Sequence, residues 1–496
     1  MKRILYMLSC LQKFFYDDHR PTPRFAYPSK EGIVMSCPVT SYVPLQRRGG
    51  RPVRHSSLSD GGRPGWVPQR LLQLALLALE FCFFASFFPV FAAEPRQTMT
   101  WADCVCELIA HNPDLYVAQQ NIQLAKTDVW RAYTLFIPSL GATASYNRGN
   151  ERLDTGYQVS DTFDGDMTGS LNIFNGFRDL ATLKQKQAVL NQTEIALKQK
   201  KADLGYTLTQ KFYDLLRAQD ALVLSEKIFK LRKENLELIR IRYETGSENK
   251  GNLMLSEVEY ARAEEAIAEA KRAIGNAQRQ LNTVLGRAED FKIVVTGKWA
   301  IVNPPMPPDF EELVKTTPQY RQADIGHYLA KEDVRIAYGA LYPTVDLTYD
   351  VGLVNENSSV VPIGDQWSIG AQAGITAFNL QLTDFLNLRD AKIKLRQNEA
   401  TLRNTANTLA DTLKSSFIGW QNAVVAYNID VKLLEAQQMR YDIDRIKYEN
   451  AGLIFEEWNR TQNSFIDAQT QVIAGQYQAV VTHAAWEKTL GNSQLP

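Results

Sequence analysis

The sequence predicts a mainly α-helical chain built from a duplicated helix–strand–strand–helix–helix unit, with a β portion belonging to a membrane barrel. Three observations predict it. Leucines and aromatics recur every seven residues along a long proline-free run. The same run returns 205 residues later. Before each run the pattern switches to a period of two.

The first run extends from Arg178 to Tyr243. Leu183, Leu190, Leu197 and Leu204 fall seven apart; the register jumps by four, and Leu208, Leu215, Leu222, Phe229, Leu236 and Tyr243 resume the sevens. This is a coiled-coil seam with one stutter. At ~1.5 Å per residue the helix is roughly 100 Å long, more than a globular domain needs. In the second copy Leu388, Leu395, Leu402 and Leu409 are followed, across the same stutter, by Leu413, Trp420, Tyr427, Leu434, Tyr441 and Tyr448. Two seams with one shared discontinuity identify an internal duplication.

From the amino terminus, residues 1–65 carry Pro, Gly and Arg clusters without periodicity and read as disordered or upstream of the true start. Residues 66–93 have the plan of a secretory signal peptide: an apolar run from Leu71 to Phe88, then the small-residue site Val90-Phe91-Ala92. Cys82 follows Glu80-Phe81 and is not a lipid-attachment cysteine. Cys104 and Cys106, two apart on a helix, point to different faces and make no metal site. The formal charge of the whole chain is zero, yet residues 1–93 hold 12 Lys and Arg against 5 Asp and Glu, so the remainder is acidic. There is no basic face for nucleic acid. Beyond Ala93 no apolar stretch is long enough for a transmembrane helix.

The first repeat occupies 94–286, a connector 287–308, the second repeat 309–491 and a tail 492–496. Thr100 with Asp103 opens a helix as a capping box, and Asn112-Pro113 restarts it at a new angle. Asp309 with Glu312, then Thr317-Pro318, do the same in the second copy. Pro138 and Pro343 end these helices. Leu140, Ala142, Ala144 and Tyr146 then alternate with Ser139, Gly141, Thr143 and Ser145. Val345, Leu347, Tyr349 and Val351 alternate with Thr344, Asp346, Thr348 and Asp350. Polar loops are expected over Asn147–Asp164 and Asn355–Asp365, second strands over 167–173 and 367–375. Phe174-Asn175 and Phe378-Asn379 return the chain to the long helices. Each strand has one apolar and one polar face and a length near the ~9–11 residues that span a bilayer. Four strands cannot close a barrel, so strands that meet lipid require one shared between subunits.

After Tyr243, Glu244-Thr245-Gly246 forms a tight turn, and a third helix starts near Asn252, carrying Leu253, Tyr260, Ile267, Ile274 and Leu281. Its copy carries Trp458, Phe465, Val472, Ala479 and Trp486. Both end on Leu-Gly, at Gly286 and Gly491. The Pro304–Pro308 cluster makes the connector stiff and extended.

No chemistry stands out. Gly246 to Gly251 has the glycine spacing of a phosphate loop, but Asn252-Leu253 replaces the required Lys-Ser/Thr and no strand precedes it. His111, His327 and His483 lie on different helices. A catalytic, metal or cofactor reading has nothing to rest on, and the long helices suggest a conduit.

Over roughly residues 98–491 the chain resembles the outer-membrane efflux (TolC-like) family. The resemblance rests on the duplication, Asn112-Pro113 with Leu115, the Ala132 to Pro138-Ser139-Leu140 transition, Arg242-Tyr243-x-x-Gly246, Lys447-Tyr448-x-x-x-Gly452 and the closing Leu-Gly pairs. It implies a homotrimer whose twelve strands form one barrel in the outer membrane of a Gram-negative bacterium. Its helices would make a periplasmic tunnel, docked by an adaptor (membrane fusion) protein that joins an inner-membrane RND or ABC pump. The chain is then the passive export channel of a tripartite efflux or type I secretion system. The docking tips correspond to Gly246, Ser247, Glu248 and Gly251, and to Gly452 and Leu453. Glu456 and Glu457 lie where acidic residues constrict the tunnel in many members, with Arg460 one turn on as counter-charge. The competing reading is a non-conducting periplasmic coiled-coil adaptor or spacer. That reading leaves the two matched amphipathic hairpins unexplained.

Overall fold

The computed structural model describes residues 97–496 apart from 154–155, 357–364, 375–381, 451, 494 and 496. The chain divides into two units, Met1–Gln97 and Thr98–Pro496. The expected signal peptide over 66–93, the segment 1–65, and the Phe378-Asn379 return lie outside the described residues.

The first repeat runs through strand β1 (Gln97–Met99), helices α1 (Trp101–His111) and α2 (Pro113–Tyr133), strands β2 (Ser139–Leu153) and β3 (Gly156–Asn175), and helices α3 (Arg178–Glu244) and α4 (Lys250–Leu285). The second runs through α5 (Phe310–Thr316), α6 (Pro318–Gly339), β5 (Thr344–Glu356), β6 (Asp365–Gly374), α7 (Leu382–Glu449) and α8 (Phe455–Leu490). The expected order therefore appears twice. Between the repeats a short strand, β4 (Ile293–Val295), pairs with β1. This pairing is a departure from the merely extended connector, and Ile293 and Val295 are buried in the apolar cluster around Leu208 and Leu281.

Local chemistry explains the helix boundaries. Thr100 and Asp103 form the capping box reciprocally. Asn112 caps α2 by accepting from Leu115, and its amide also donates to the Val284 carbonyl at 2.8 Å, fixing the bend between α1 and α2. Asp309 caps α5 through the Glu311 amide, one residue earlier than the capping box expected with Glu312. Gly286 and Gly491 end α4 and α8 at φ +73° and +75°, as left-handed caps. The α2 helix ends before Pro138, at Tyr133, and a short 3-10 turn over Thr134–Phe136 follows it.

The long helices are 67 and 68 residues, about 100 Å each. Each packs along its return helix, α3 with α4 and α7 with α8. Two apolar clusters hold the middle. One joins Leu208, Phe212 and Leu215 of α3 to Leu281, Leu285, Ile293 and Leu108. The other joins Leu413, Phe417 and Trp420 of α7 to Val314 and Trp486. Cys104 lies in the first cluster, where burial pushes its thiol up to about 12.

The four long strands form one antiparallel sheet in the order β2-β3-β5-β6. Leu140 faces Gly169 and Tyr349 in register; Met167 faces Ala142 and Val351. These residues share one face, and Leu140, Met167 and Tyr349 on it are exposed. Thr143, Asp166, Thr168, Asp350, Asn172 and Asp346 share the other. The loop expected over Asn147–Asp164 is instead mostly strand, paired from Asn147↔Thr162 to Leu153↔Gly156. Ladder hydrogen bonds are made by the backbone, so polar side chains do not stop them. The β2–β3 hairpin consequently extends past Glu356, which pairs with Thr162. Of the second expected loop, 357–364 lies outside the described residues. No helix among the described residues is long and apolar enough to cross a membrane.

The repeats meet along β3–β5, α3–α6 and α3–α8. At the strand-to-helix corner Gly176 (φ +58°) lies against Gly339; a Cβ on Gly176 would sit 2.1 Å from the Gly339 carbonyl oxygen. Only paired glycines permit this approach.

Candidate functional site

The two helix hairpins reverse at one end of the unit, and these turns hold the residues singled out from the sequence. In the first turn Thr245 donates to Ile241 O, and Gly246 at φ +76° lets Ser247 and Glu248 both donate to the Arg242 carbonyl. Asn249 caps α4 by accepting from Asn252. Gly251 lies within α4, which starts at Lys250, two residues before the start expected near Asn252. The second turn is built differently. Gly452 donates to Lys447 O at 2.8 Å and, unlike Gly246, is not left-handed. Leu453 packs into an apolar cluster with Ile239, Tyr448, Phe455 and Trp458.

Glu248 is engaged within the chain. Its carboxylate accepts from the Tyr448 hydroxyl at 2.9 Å and from the Asn252 amide at 2.9 Å. Arg242 stacks over the Tyr448 ring at 4.2 Å and donates to the carbonyl oxygens of Tyr448 and Glu449. Burial pushes the Tyr448 phenol well above its usual range, and the neighbouring Glu248 carboxylate adds to the shift. The two turns are thereby tied together. Tyr448 also stacks on Trp458 at 5.5 Å, and Trp458 donates its indole N–H to Asn235 of α3 at 2.7 Å.

Farther from the turns, Arg232 of α3 is buried among acceptors. It pairs with Glu259 of α4 at 3.0 Å and donates to Gln462 at 2.8 Å and to Asn463, both on α8. Burial pulls its guanidinium down, and Glu259 opposes that. Sequence reasoning missed this group. The signal was present, since Arg232 falls three residues after Phe229 and four before Leu236, a seam position that calls for an apolar side chain.

Charge is divided in a particular way here. Arg232–Glu259, Arg240–Glu257 and Arg242–Glu248 lie within the first hairpin; Arg440–Asp444, Lys447–Asp444 and Arg445–Glu449 lie within α7. Among the described residues of the tip half, the hydrogen bonds across the seam join a charged group to a neutral one, or two neutral groups. A cleft of about 520 Å³ opens between α4 and α8, lined by Asn252, Leu255, Glu456, Asn459, Arg460 and Asp467 among others. Glu456 and Glu457 are exposed on the first turn of α8. Among the described residues no ion pair joins Glu456 to Arg460, so the expected counter-charge contact is not made. No group of potential metal ligands occurs among the described residues.

Comparison with known proteins follows the same lines. Residues 105–287, most of the first repeat, match the model of the family described as Outer membrane efflux protein. No curated protein matches the sequence. Among solved structures, the chain is similar to CusC, from a study of transmembrane channel formation, with TM-score 0.72 and 16% identity over 79% of this chain and 91% of that one. It is similar to the CmeC outer membrane channel of Campylobacter jejuni, with TM-score 0.68 and 14% identity over 78% and 84%. It is also similar to the open state of the MtrE outer membrane channel of Neisseria gonorrhoeae, with TM-score 0.68 and 17% identity over 78% and 88%. The fold is that of these channels.

Proposed function

We infer that the chain, a member of the outer membrane efflux protein family that its first repeat matches, is an outer-membrane efflux channel. Its helices form the periplasmic tunnel. The observation that carries the reading is the joint between the repeats. Within the chain, β3 pairs with β5 and α3 packs on α6. The far sides of the repeats, β2 with α2 and β6 with α7, have no such counterpart among the described residues. A sheet whose apolar face meets lipid cannot keep open edges. The same joint made between copies, β6 against the next β2 and α7 against the next α2, closes a ring head to tail. With four strands each, three copies give a barrel of about twelve, above the ~8-strand minimum. The matched hairpins and open edges favour this over a non-conducting spacer.

The conduit performs no covalent step. The finer reading is that a periplasmic adaptor docks the turns at Gly246, Ser247, Gly251, Gly452 and Leu453, and that an RND or ABC pump feeds the lumen. Glu456 and Glu457 then ring the tunnel near its closed end.

Native mass spectrometry in detergent, with planar-bilayer recording of the same sample, tests the reading. A trimer that conducts is expected. A stable folded monomer without conductance would falsify it.

A further inference from the structure

The helices of the two repeats keep one register, offset by 205 residues, and their contacts follow it. In the second repeat Lys392 of α7 lies over the Tyr338 ring of α6 at 4.8 Å. In the first, the equivalent Gln187 of α3 donates to the hydroxyl of the equivalent Tyr133 of α2 at 3.4 Å. A contact at the joint within the chain, α3 on α6, therefore has a defined counterpart at the joint between copies, α7 on the next α2. Within the chain, Gln185 of α3 donates to Asp333 of α6 at 2.6 Å. Its counterpart sets Asp390 of one copy opposite Asp128 of the next. Two carboxylates alone would repel there.

The first repeat supplies cations at that one place. Asp128 pairs with Arg131 of α2 at 2.6 Å and with Lys186 of α3 at 3.7 Å. The second repeat has Ile336 and Ala391 in their positions. The cluster of two cations and one carboxylate is partly exposed and has a positive charge in excess. Asp390 is exposed and makes no ion pair or hydrogen bond among the described residues, Lys394 one turn along α7 included. Its neighbour Arg389 stands in the place of Lys184, so a cation there is common to both joints. Three differences between the repeats thus fall together: an acid on α7, and two cations on the face that meets it.

We propose that Asp390 of one copy and the Arg131–Lys186 pair around Asp128 of the next form a recognition contact between copies of this chain. The proposal rests on the channel reading and adds which faces accept one another. Exposed ion pairs contribute little to stability, so the contact acts on the choice of partner face. Seated on α6 of another copy, Asp390 would meet Asp333 without the two added cations, and that wrong joint is disfavoured. Gln185, being neutral, serves the joint within the chain, where connectivity already brings α3 and α6 together.

Native mass spectrometry of the full chain in detergent at low salt tests the contact. Asp390→Lys and Lys186→Glu should each raise the monomer fraction several-fold. The two changes combined in one chain exchange the charges and should restore the trimer. In a second arm, a short bismaleimide should link Asp390→Cys of one copy to Asp128→Cys of the next, giving covalent trimers that neither single cysteine variant gives. This arm decides the matter if the charge variants do not fold. A native trimer that the charge reversals leave unweakened, a loss that the combined change does not rescue, or a trimer without the cross-link overturns the contact and leaves the channel reading standing. An unaltered chain that never forms a trimer overturns the channel reading and the contact with it.

Discussion

The Tyr448 hydroxyl donates to the Glu248 carboxylate at 2.9 Å, joining the two turns across 200 residues of sequence. Glu248 keeps its own hairpin partners, Asn252 and Arg242, whether or not Tyr448 is present. The phenol therefore acts on the approach of the turns more than on the fold of either.

Tyr448→Phe removes that bond and keeps the ring stacked on Trp458. A hydrogen bond to a charged group contributes ~1.5–3 kcal/mol. The expected outcome is a higher resting conductance with little change in thermal unfolding, read by planar-bilayer recording and calorimetry. Conductance equal to the native protein's would assign closure to other contacts.

The same phenol sets a pH dependence. Its folded-state pKa is raised by burial. The neutral form is thus favoured in the folded tip, and its contribution is whole below the unfolded value of about 10. That contribution is lost only as pH rises through the higher folded value. Tyr477 is also raised, so phenolate absorbance should show a group of late-titrating tyrosines, and Tyr448→Phe should reduce its amplitude by one phenol per chain.

The two turn glycines are expected to differ. Gly246→Val places a β-branched residue at φ +76°, a cost of ~1–3 kcal/mol. At Gly452 the backbone is not left-handed, and a Cβ would meet Lys447 O at an ordinary 3.4 Å. Gly452→Val should stay within about 0.5 kcal/mol of the native stability. Hydrogen exchange at the turns measures both, and adaptor binding should weaken at Gly246→Val without loss of membrane insertion. Equal effects at the two sites would contradict the assigned backbone.

The faces of the sheet give neighbouring residues opposite sensitivities. Met167→Arg puts a charge on the apolar face, at a cost of ~2–4 kcal/mol if that face lies at mid-bilayer. Thr168→Arg, one residue on, points to the opposite face beside Asp350 and should be tolerated. Refolding yield into lipid vesicles distinguishes them. Equal yields would remove the lipid assignment.

Glu456 and Glu457 are exposed on the first turn of α8, and three copies would present six carboxylates. Such a ring favours cations. Reversal potentials in a salt gradient should show cation preference, reduced in Glu456→Gln with Glu457→Gln. An unchanged preference in the double variant would place the ring elsewhere.

The sequence by itself determined the duplication, the two long seams, the capped bends at Asn112 and Thr317, the glycine ends at Gly286 and Gly491, and the amphipathic strands. Each is written in a local period or a short-range hydrogen bond, and local backbone energetics fix both. Even the misplaced charge of Arg232 was legible as a break in the heptad. Tertiary structure alone decided what that charge meets, because Gln462 lies 230 residues away. It also decided that Glu248 is tied to Tyr448, that Gly452 turns without positive φ, and that polar residues 147–153 continue a strand. A period states which face of an element is covered. It does not state by what, since that depends on the packing of segments that only the folded chain brings together.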